Sequence, residues 1–255
     1  MSRLCVLFFL LFLPAWAFAF DHSHKDWDGL LKRHVVVLAG GKASQLRYAG
    51  MARERAVLGR YLQELSSVDE EELGRWTREQ QMAFLINAYN AFTVEKILTR
   101  YPDIRSVWDF GKFFGNPFKD EFFSLLGAKA SLDRIEHEIL RKRYRDPRPH
   151  YVLNCASVSC PMLREEAYLG ARLERQLEEQ AARFLADRSR NRLAGGRLEL
   201  SKIFDWYKED FEPRAGYFAR YAEALAADDG GRKLVAEGGA PLFFLDYDWA
   251  LNDAR

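Results

Sequence analysis

The stretch Thr77-Arg78-Glu79-Gln80-Gln81-Met82-Ala83-Phe84-Leu85-Ile86-Asn87-Ala88-Tyr89-Asn90-Ala91-Phe92-Thr93-Val94 decides the architecture of this 255-residue chain. Thr77 followed three positions on by Gln80 is a capping box. Pro102 bounds the other end, so the pattern predicts a helix over about 78–100. Laid out at 100° steps, its apolar side chains cover nearly every direction, and a helix apolar all round is buried. Asn87 and Asn90 are then buried amides that must find hydrogen-bond partners. Two roles are open to them. They can tie down loop backbone, or one can bind substrate or orient a catalytic side chain.

Around this helix the chain alternates short helices with irregular stretches. Trp27 to Lys32 is amphipathic and precedes Val35-Val36-Val37-Leu38, and Ala52 to Leu65 carries Leu58, Leu62 and Leu65 on one face. Residues 101–130 are aromatic and irregular, with Trp108, Phe110, Phe113, Phe114, Phe118, Phe122 and Phe123, as in a loop packed over the core that lines a pocket. Ser131 caps a helix to about Tyr144 with an apolar stripe of Leu132, Ile135, Ile139 and Leu140. Glu136 falls inside that stripe, where a carboxylate must be paired, hydrogen-bonded or protonated, and His137 sits on its flank. Further on, Leu173 to Leu185 is amphipathic, Leu193 to Leu200 turns at Gly195-Gly196 as a hairpin, Ser201 caps another helix, and about Tyr217 to Ala226 forms one more. Leu242 to Trp249 is strand-like. The expectation is an α+β fold: one compact domain over 20–255, helix-rich around the buried central helix, with a small β-sheet.

Chemistry concentrates in His150-Tyr151-Val152-Leu153-Asn154-Cys155-Ala156-Ser157-Val158-Ser159-Cys160-Pro161. Tyr151-Val152-Leu153 suits a buried strand, and Pro161 suits the first position of a helix over about 161–168 with Cys160 as its N-cap. A thiol there is biased toward thiolate. A cysteine-dependent hydrolase or acyl transferase acting on a small-molecule or cell-envelope substrate would use Cys160 as nucleophile, with Cys155 as second choice. His137 would be the base, Glu136, Asn87 or Asn90 its orienting group, and His150 the alternative base. Asn87, Asn90, Arg148 and Asn154 are candidate substrate contacts. Three other chemistries stay open. Cys155 and Cys160 can form a structural disulfide in a non-catalytic binding or scaffold module. The same bridge can be redox-active. Or Cys155, Cys160, His137 and His150 can hold zinc, although C-x4-C is at the wide end of the usual spacing. No organic cofactor motif is present: there is no phosphate-cradling glycine loop, no nucleophile-elbow serine and no HExxH pair.

The N-terminus reads as a secretory signal, with Arg3, an apolar run from Leu4 to Leu13, and small residues Ala17 and Ala19 at the cleavage positions. Cleavage after Ala19 gives an exported protein, periplasmic or secreted, with no membrane insertion afterwards. Removing residues 1–19 takes away Arg3 and no acidic residue, leaving 37 basic against 37 acidic side chains. That balance argues against a nucleic-acid partner, which requires a basic face. His22 and His24, two apart beside the new N-terminus, read as a solvated tail or a loose metal pair.

Several motifs taken together resemble the family called domain of unknown function 547, and mark the chain as an exported bacterial member. They are Phe84-Leu85-Ile86-Asn87-Ala88-Tyr89-Asn90-Ala91, Ser131-Leu132-Asp133 with Ile135-Glu136-His137 and Leu140-Arg141, and Asp146-Pro147-Arg148 with His150. They continue through Asn154-Cys155-Ala156-Ser157 and Ser159-Cys160-Pro161, then Leu200-Ser201-Lys202-Ile203-Phe204-Asp205-Trp206-Tyr207 with Asp210-Phe211, and Tyr247-Asp248-Trp249-Ala250-Leu251-Asn252. The resemblance runs from about Leu58 to the C-terminus. It implies no activity by itself. The occurrence of related domains beside a glutaredoxin-like domain in larger eukaryotic chains implies thiol chemistry. Leu85 departs from the Trp common in the family, a change that bears on packing.

Overall fold

The computed structural model describes residues 19–111 and 115–254. The expected secretory leader up to Phe18, together with Phe113 and Phe114, lies outside the described residues. In chain order, α1 (Lys25–His34) leads into a hairpin of β1 (Val35–Leu38) and β2 (Ala43–Leu46), then α2 (Tyr48–Arg53), α3 (Arg55–Ser67), α4 (Glu70–Gly74) and α5 (Arg78–Leu98). The predicted helix of 78–100 is therefore α5. Its capping box is formed in both directions, with the Gln80 amide N–H donating to Thr77 Oγ1 and the Thr77 N–H to Gln80 Oε1. Every side chain from Met82 to Leu98 except Glu95 is buried, because α3, α7 and the helix around Ile135 all pack on it.

Asn87 and Asn90 act on loop backbone. Asn87 donates through Nδ2 to the Tyr168 carbonyl (2.8 Å) and accepts from the Tyr168 N–H (3.0 Å). Asn90 donates to the Val152 carbonyl (2.9 Å) and accepts from the Asn154 N–H (2.8 Å). Both residues are almost wholly buried, at 0% and 2% exposure. Each amide thus supplies what a neighbouring strand would supply to a chain lying across the helix, which has no strand beside it.

Two local expectations give way to these contacts. Tyr151-Val152-Leu153 is buried but is not a strand. Arg148–Tyr151 is a 3-10 turn following Pro147, and the Val152 and Leu153 N–H groups both reach the Pro149 carbonyl. Nor do residues 161–168 form a helix, so Cys160 caps nothing and the helix-dipole argument for its thiolate falls. In that segment, side chains of other elements capture the backbone instead. Asn154 holds the Pro161 carbonyl, Gln180 that of Met162, Ser44 that of Leu163 and Gln176 that of Ala167, while Asp28 accepts from the Ala167 N–H. Tertiary partners at fixed positions override a helical composition that is only a weak preference.

The remaining elements are a hairpin of β3 (Phe123–Leu125) and β4 (Ala128–Ala130), a helix whose Arg134–Leu140 portion is π-helical and continues as α6 (Arg141–Tyr144), and α7 (Leu173–Leu185). A three-stranded sheet then sets β5 (Arg192–Ala194) antiparallel to β6 (Arg197–Leu200), turning at Gly195-Gly196 as expected, with β7 (Leu242–Phe244) parallel to β6. Between β6 and β7 come α8 (Ile203–Trp206), α9 (Arg214–Ala219), α10 (Ala222–Leu225) and α11 (Asp229–Ala236). Gly230 and Gly231 lie inside α11, which Asp228 caps through the Gly231 N–H. Leu173 and Leu177 of α7 join the core around α5, while Ala181, Phe184 and Leu185 join a second cluster under the sheet. One helix therefore locks the two clusters together, and the α+β expectation holds. Among the described residues no helix is long and apolar enough to cross a membrane.

His22 and His24 are not a solvated tail. The His22 ring lies edge-on to Trp76 at 4.5 Å, and His24 is buried with Nδ1 2.7 Å from the Tyr61 hydroxyl. Burial pushes the His24 imidazole down to about 3.

The amide contacts give a direct test. Removing either amide strands two backbone groups in the core, and leaving each buried group unsatisfied costs about 1–3 kcal/mol. Asn87→Ala and Asn90→Ala should each lower the urea-unfolding free energy by about 3 kcal/mol. A loss under about 1 kcal/mol would show that the loops hold themselves.

Candidate functional site

A cavity of about 380 Å³ opens where the π-helix, the cysteine loop, α8 and the C-terminal segment meet. Its polar groups are Asp133, Glu136, His137, His150 and Tyr89, with Cys155, Cys160 and Pro161 forming one side. Its aromatic lining is Trp108, Phe118, Trp206, Tyr207, Tyr247 and Trp249. The structure therefore brings together all five residues expected to carry chemistry, Cys155, Cys160, His137, Glu136 and His150.

The π-helix arranges the acidic side. The Ser131 hydroxyl accepts from the Arg134 N–H as the sequence predicted, but the following turns widen, and the Arg141 N–H bonds the Glu136 carbonyl five residues back. In such a turn residues four apart approach eclipsed positions, and π-helical turns are frequent at functional sites. Asp133, His137 and Arg141 line up in this way. Arg141 Nη1 donates to His137 Nδ1 at 3.1 Å, and His137 Nε2 lies 3.8 Å from Asp133 Oδ1. Glu136 is swung off the apolar stripe toward the cavity, its side chain 13% exposed. It is paired, as a carboxylate on that face must be. Its partners are the phenols of Tyr89 and Tyr207, with His150 Nδ1 3.7 Å away. Burial, together with the Glu136 carboxylate, raises both phenols well above the usual tyrosine range, so both stay protonated donors.

His150 is fixed from behind. Its Nε2 donates to Asp210 Oδ2 at 2.7 Å and its ring stacks on Tyr207 at 4.1 Å. Arg141 grips the same carboxylate through Nε and Nη2, at 2.6 and 3.0 Å. Burial opposes ionisation of Asp210, but the bonds from His150 and Arg141 outweigh it and hold the carboxyl well below the usual range. Asp210 stood in a quoted motif without a role. Nothing in the sequence spacing, 60 positions from His150, could have paired the two.

A disulfide joins Cys155 and Cys160, whose Cα atoms are 6.0 Å apart. A thiolate nucleophile and a zinc site on these sulfurs both require free thiols, which the bridge removes. Among the described residues no three His, Cys, Asp or Glu side chains are grouped as metal ligands. The loop between the cysteines is braced throughout. Ala156 adopts φ +65°, a left-handed conformation unusual for alanine, held by its N–H on Asn154 Oδ1 and its carbonyl under the Asn252 N–H. Val158 and Ser159 donate to the carbonyls of Ala250 and Asp248. This pairing sets Tyr247, whose hydroxyl is 3.4 Å from both Cys155 Sγ and Ser157 Oγ, and Trp249 over the cavity.

The four candidate substrate contacts lie elsewhere. Asn87, Asn90 and Asn154 are committed to backbone behind the cavity. Arg148 is bidentate on Asp146, reaches Glu174 and faces a separate cleft.

Residues 73–185 match the model of the family described as "Protein of unknown function, DUF547". The matched segment holds α5, the π-helix and the cysteine loop, and stops before the Leu200–Phe211 and Tyr247–Asn252 motifs. Neither the curated proteins nor the solved structures contain a match.

With both sulfurs bridged, the unfolded, unreduced protein should titrate no thiol at Cys155 or Cys160. Cys155→Ser and Cys160→Ser should each destabilise it by about 2 kcal/mol, the chain-entropy value for so short a loop. A free thiol at Cys160 alone would contradict the bridge. Asp210 adds a pH dependence. Its depressed folded value contributes stability that is complete above the unfolded carboxylate value of about 3.9 and is lost as pH falls toward the folded one. Asp210→Asn should flatten the acid limb of the stability curve below about pH 4, and an unchanged limb would dissociate Asp210 from that loss.

Proposed function

We propose, for a chain whose segment 73–185 belongs to the domain of unknown function 547 family, that the cavity is a ligand pocket and the protein an exported binding module. One observation carries this. The two sulfurs that would supply a nucleophile are closed into the pocket wall as a disulfide, while the other polar groups are held in fixed positions around an aromatic-walled space. Its volume lies within the range of small-ligand sites. A bridge between Cys155 and Cys160 also fits an oxidising compartment, in keeping with the leader-like N-terminus and a periplasmic or secreted location.

A second function is favoured by the line Asp210–His150–Glu136. A carboxylate-anchored imidazole beside a second carboxylate is the equipment of general acid–base catalysis. Hydrolysis would then use Glu136 or His150 on a bound substrate, without a cysteine nucleophile.

Fragment screening by NMR on the intact exported protein separates the two. Shifts should cluster on the indole N–H signals of Trp108, Trp206 and Trp249, and the fragments should be recovered unchanged. Trp206→Ala should weaken binding by about tenfold, roughly 1.4 kcal/mol. Shifts centred away from these indoles would remove the pocket. Turnover of a bound ester or amide that is lost in Glu136→Gln would replace the binding module by the hydrolase.

A further inference from the structure

Building on the ligand-pocket reading, we propose that the pocket selects a compact organic cation, an alkylammonium or quaternary ammonium group. The first support is charge. Asp133 and Glu136 line the cavity, and among the described residues no lysine or arginine does. The Arg141 guanidinium behind the cavity is engaged by both Asp210 oxygens and lies over the Tyr207 ring, 5.1 Å from its centroid. An anionic ligand would meet two carboxylates. A cation would meet Glu136, which lines the cavity with its side chain 13% exposed.

The second support is the shape of the aromatic wall. Trp108 and Trp249 meet at 83° with centroids 5.3 Å apart, and Trp206 and Tyr247 meet at 50° and 4.8 Å. The 83° pair is edge-to-face, and Trp249 also stacks on Trp206 at 25° and 5.7 Å, so the rings form one continuous aromatic lining. Faces of tryptophan and tyrosine attract cations through the ring quadrupole, and most strongly where water is excluded. The exposure of Trp206 (44%) and Trp108 (39%) places two of the rings at the mouth, where an incoming ligand would cover them.

The test uses the full exported chain and three probes of equal size: choline, its neutral isostere 3,3-dimethyl-1-butanol, and the anion 3,3-dimethylbutyrate. Tryptophan fluorescence and calorimetry should show choline binding at least about tenfold tighter than the neutral isostere, with no binding of the anion. Glu136→Gln, or Asp133→Asn if the first variant fails to fold, should lower choline affinity by about tenfold while leaving the isostere unchanged. Equal or tighter binding of the isostere or the anion, sensitive to Trp206→Ala, would overturn the cation and leave the pocket standing. Choline binding indifferent to all three substitutions, or none up to about 50 mM, where a site of only a few kcal/mol would fill, would also overturn it. The fragment map decides separately whether the pocket itself survives.

Discussion

The side-chain amide of Asn90 makes two hydrogen bonds to backbone groups two residues apart, one to the Val152 carbonyl and one from the Asn154 N–H. Much of the candidate site depends on that contact. The segment before the cysteines crosses a helix that is apolar on every side, and a backbone laid there has neither water nor a strand to pair with. A buried backbone polar group left alone is too costly to persist. Asn90 meets the requirement for the cysteine segment, and Asn87, one turn earlier, meets it for Tyr168 beyond the loop. Two amides on one helix thus fix both ends of the stretch that carries Cys155 and Cys160.

From there the order passes outward. Asn154, set in place by Asn90, braces Ala156 and the Pro161 carbonyl, and the disulfide closes the loop between them. The braced loop offers its N–H groups to the C-terminal segment, which also bonds Arg105 and Leu46. That segment brings Tyr247 and Trp249 over the cavity. On the opposite side the π-helical turns present Asp133, Glu136 and His137, with Tyr89 from the central helix beneath them. The aromatic and the acidic walls thus come from parts of the chain far apart in sequence, each aligned by hydrogen bonds rather than by a shared sheet.

This explains which parts were legible in the sequence. The central helix was, because its capping box and all-round apolarity are local signals. So were the hairpin at Gly195-Gly196, the amphipathic helix ending at Leu185, and the convergence of Cys155, Cys160, Glu136, His137 and His150. The illegible parts rest on long-range partners. Tyr151-Val152-Leu153 has strand composition, but the Pro149 carbonyl and the Asn90 amide take its backbone groups first. Residues 161–168 have helix composition, but Asn154, Gln180 and Ser44 claim the Pro161, Met162 and Leu163 carbonyls a helix would use. α-Helical spacing puts Glu136 in the apolar stripe, and the wider π turn carries it toward the cavity. Asp210 and the tryptophans at 206 and 249 lay in recognised motifs, yet only the tertiary structure shows that they meet.

If the two amides anchor the site, the N–H groups of Asn154 and Tyr168, although in irregular segments, should be as protected as the core helix. Native-state hydrogen exchange measured residue by residue is the most direct test. The account predicts that both amides exchange only through global unfolding, with the same opening free energy as Ile86 and Ala91 on the central helix. Exchange of Asn154 and Tyr168 by local opening, while the helix stays protected, would contradict it.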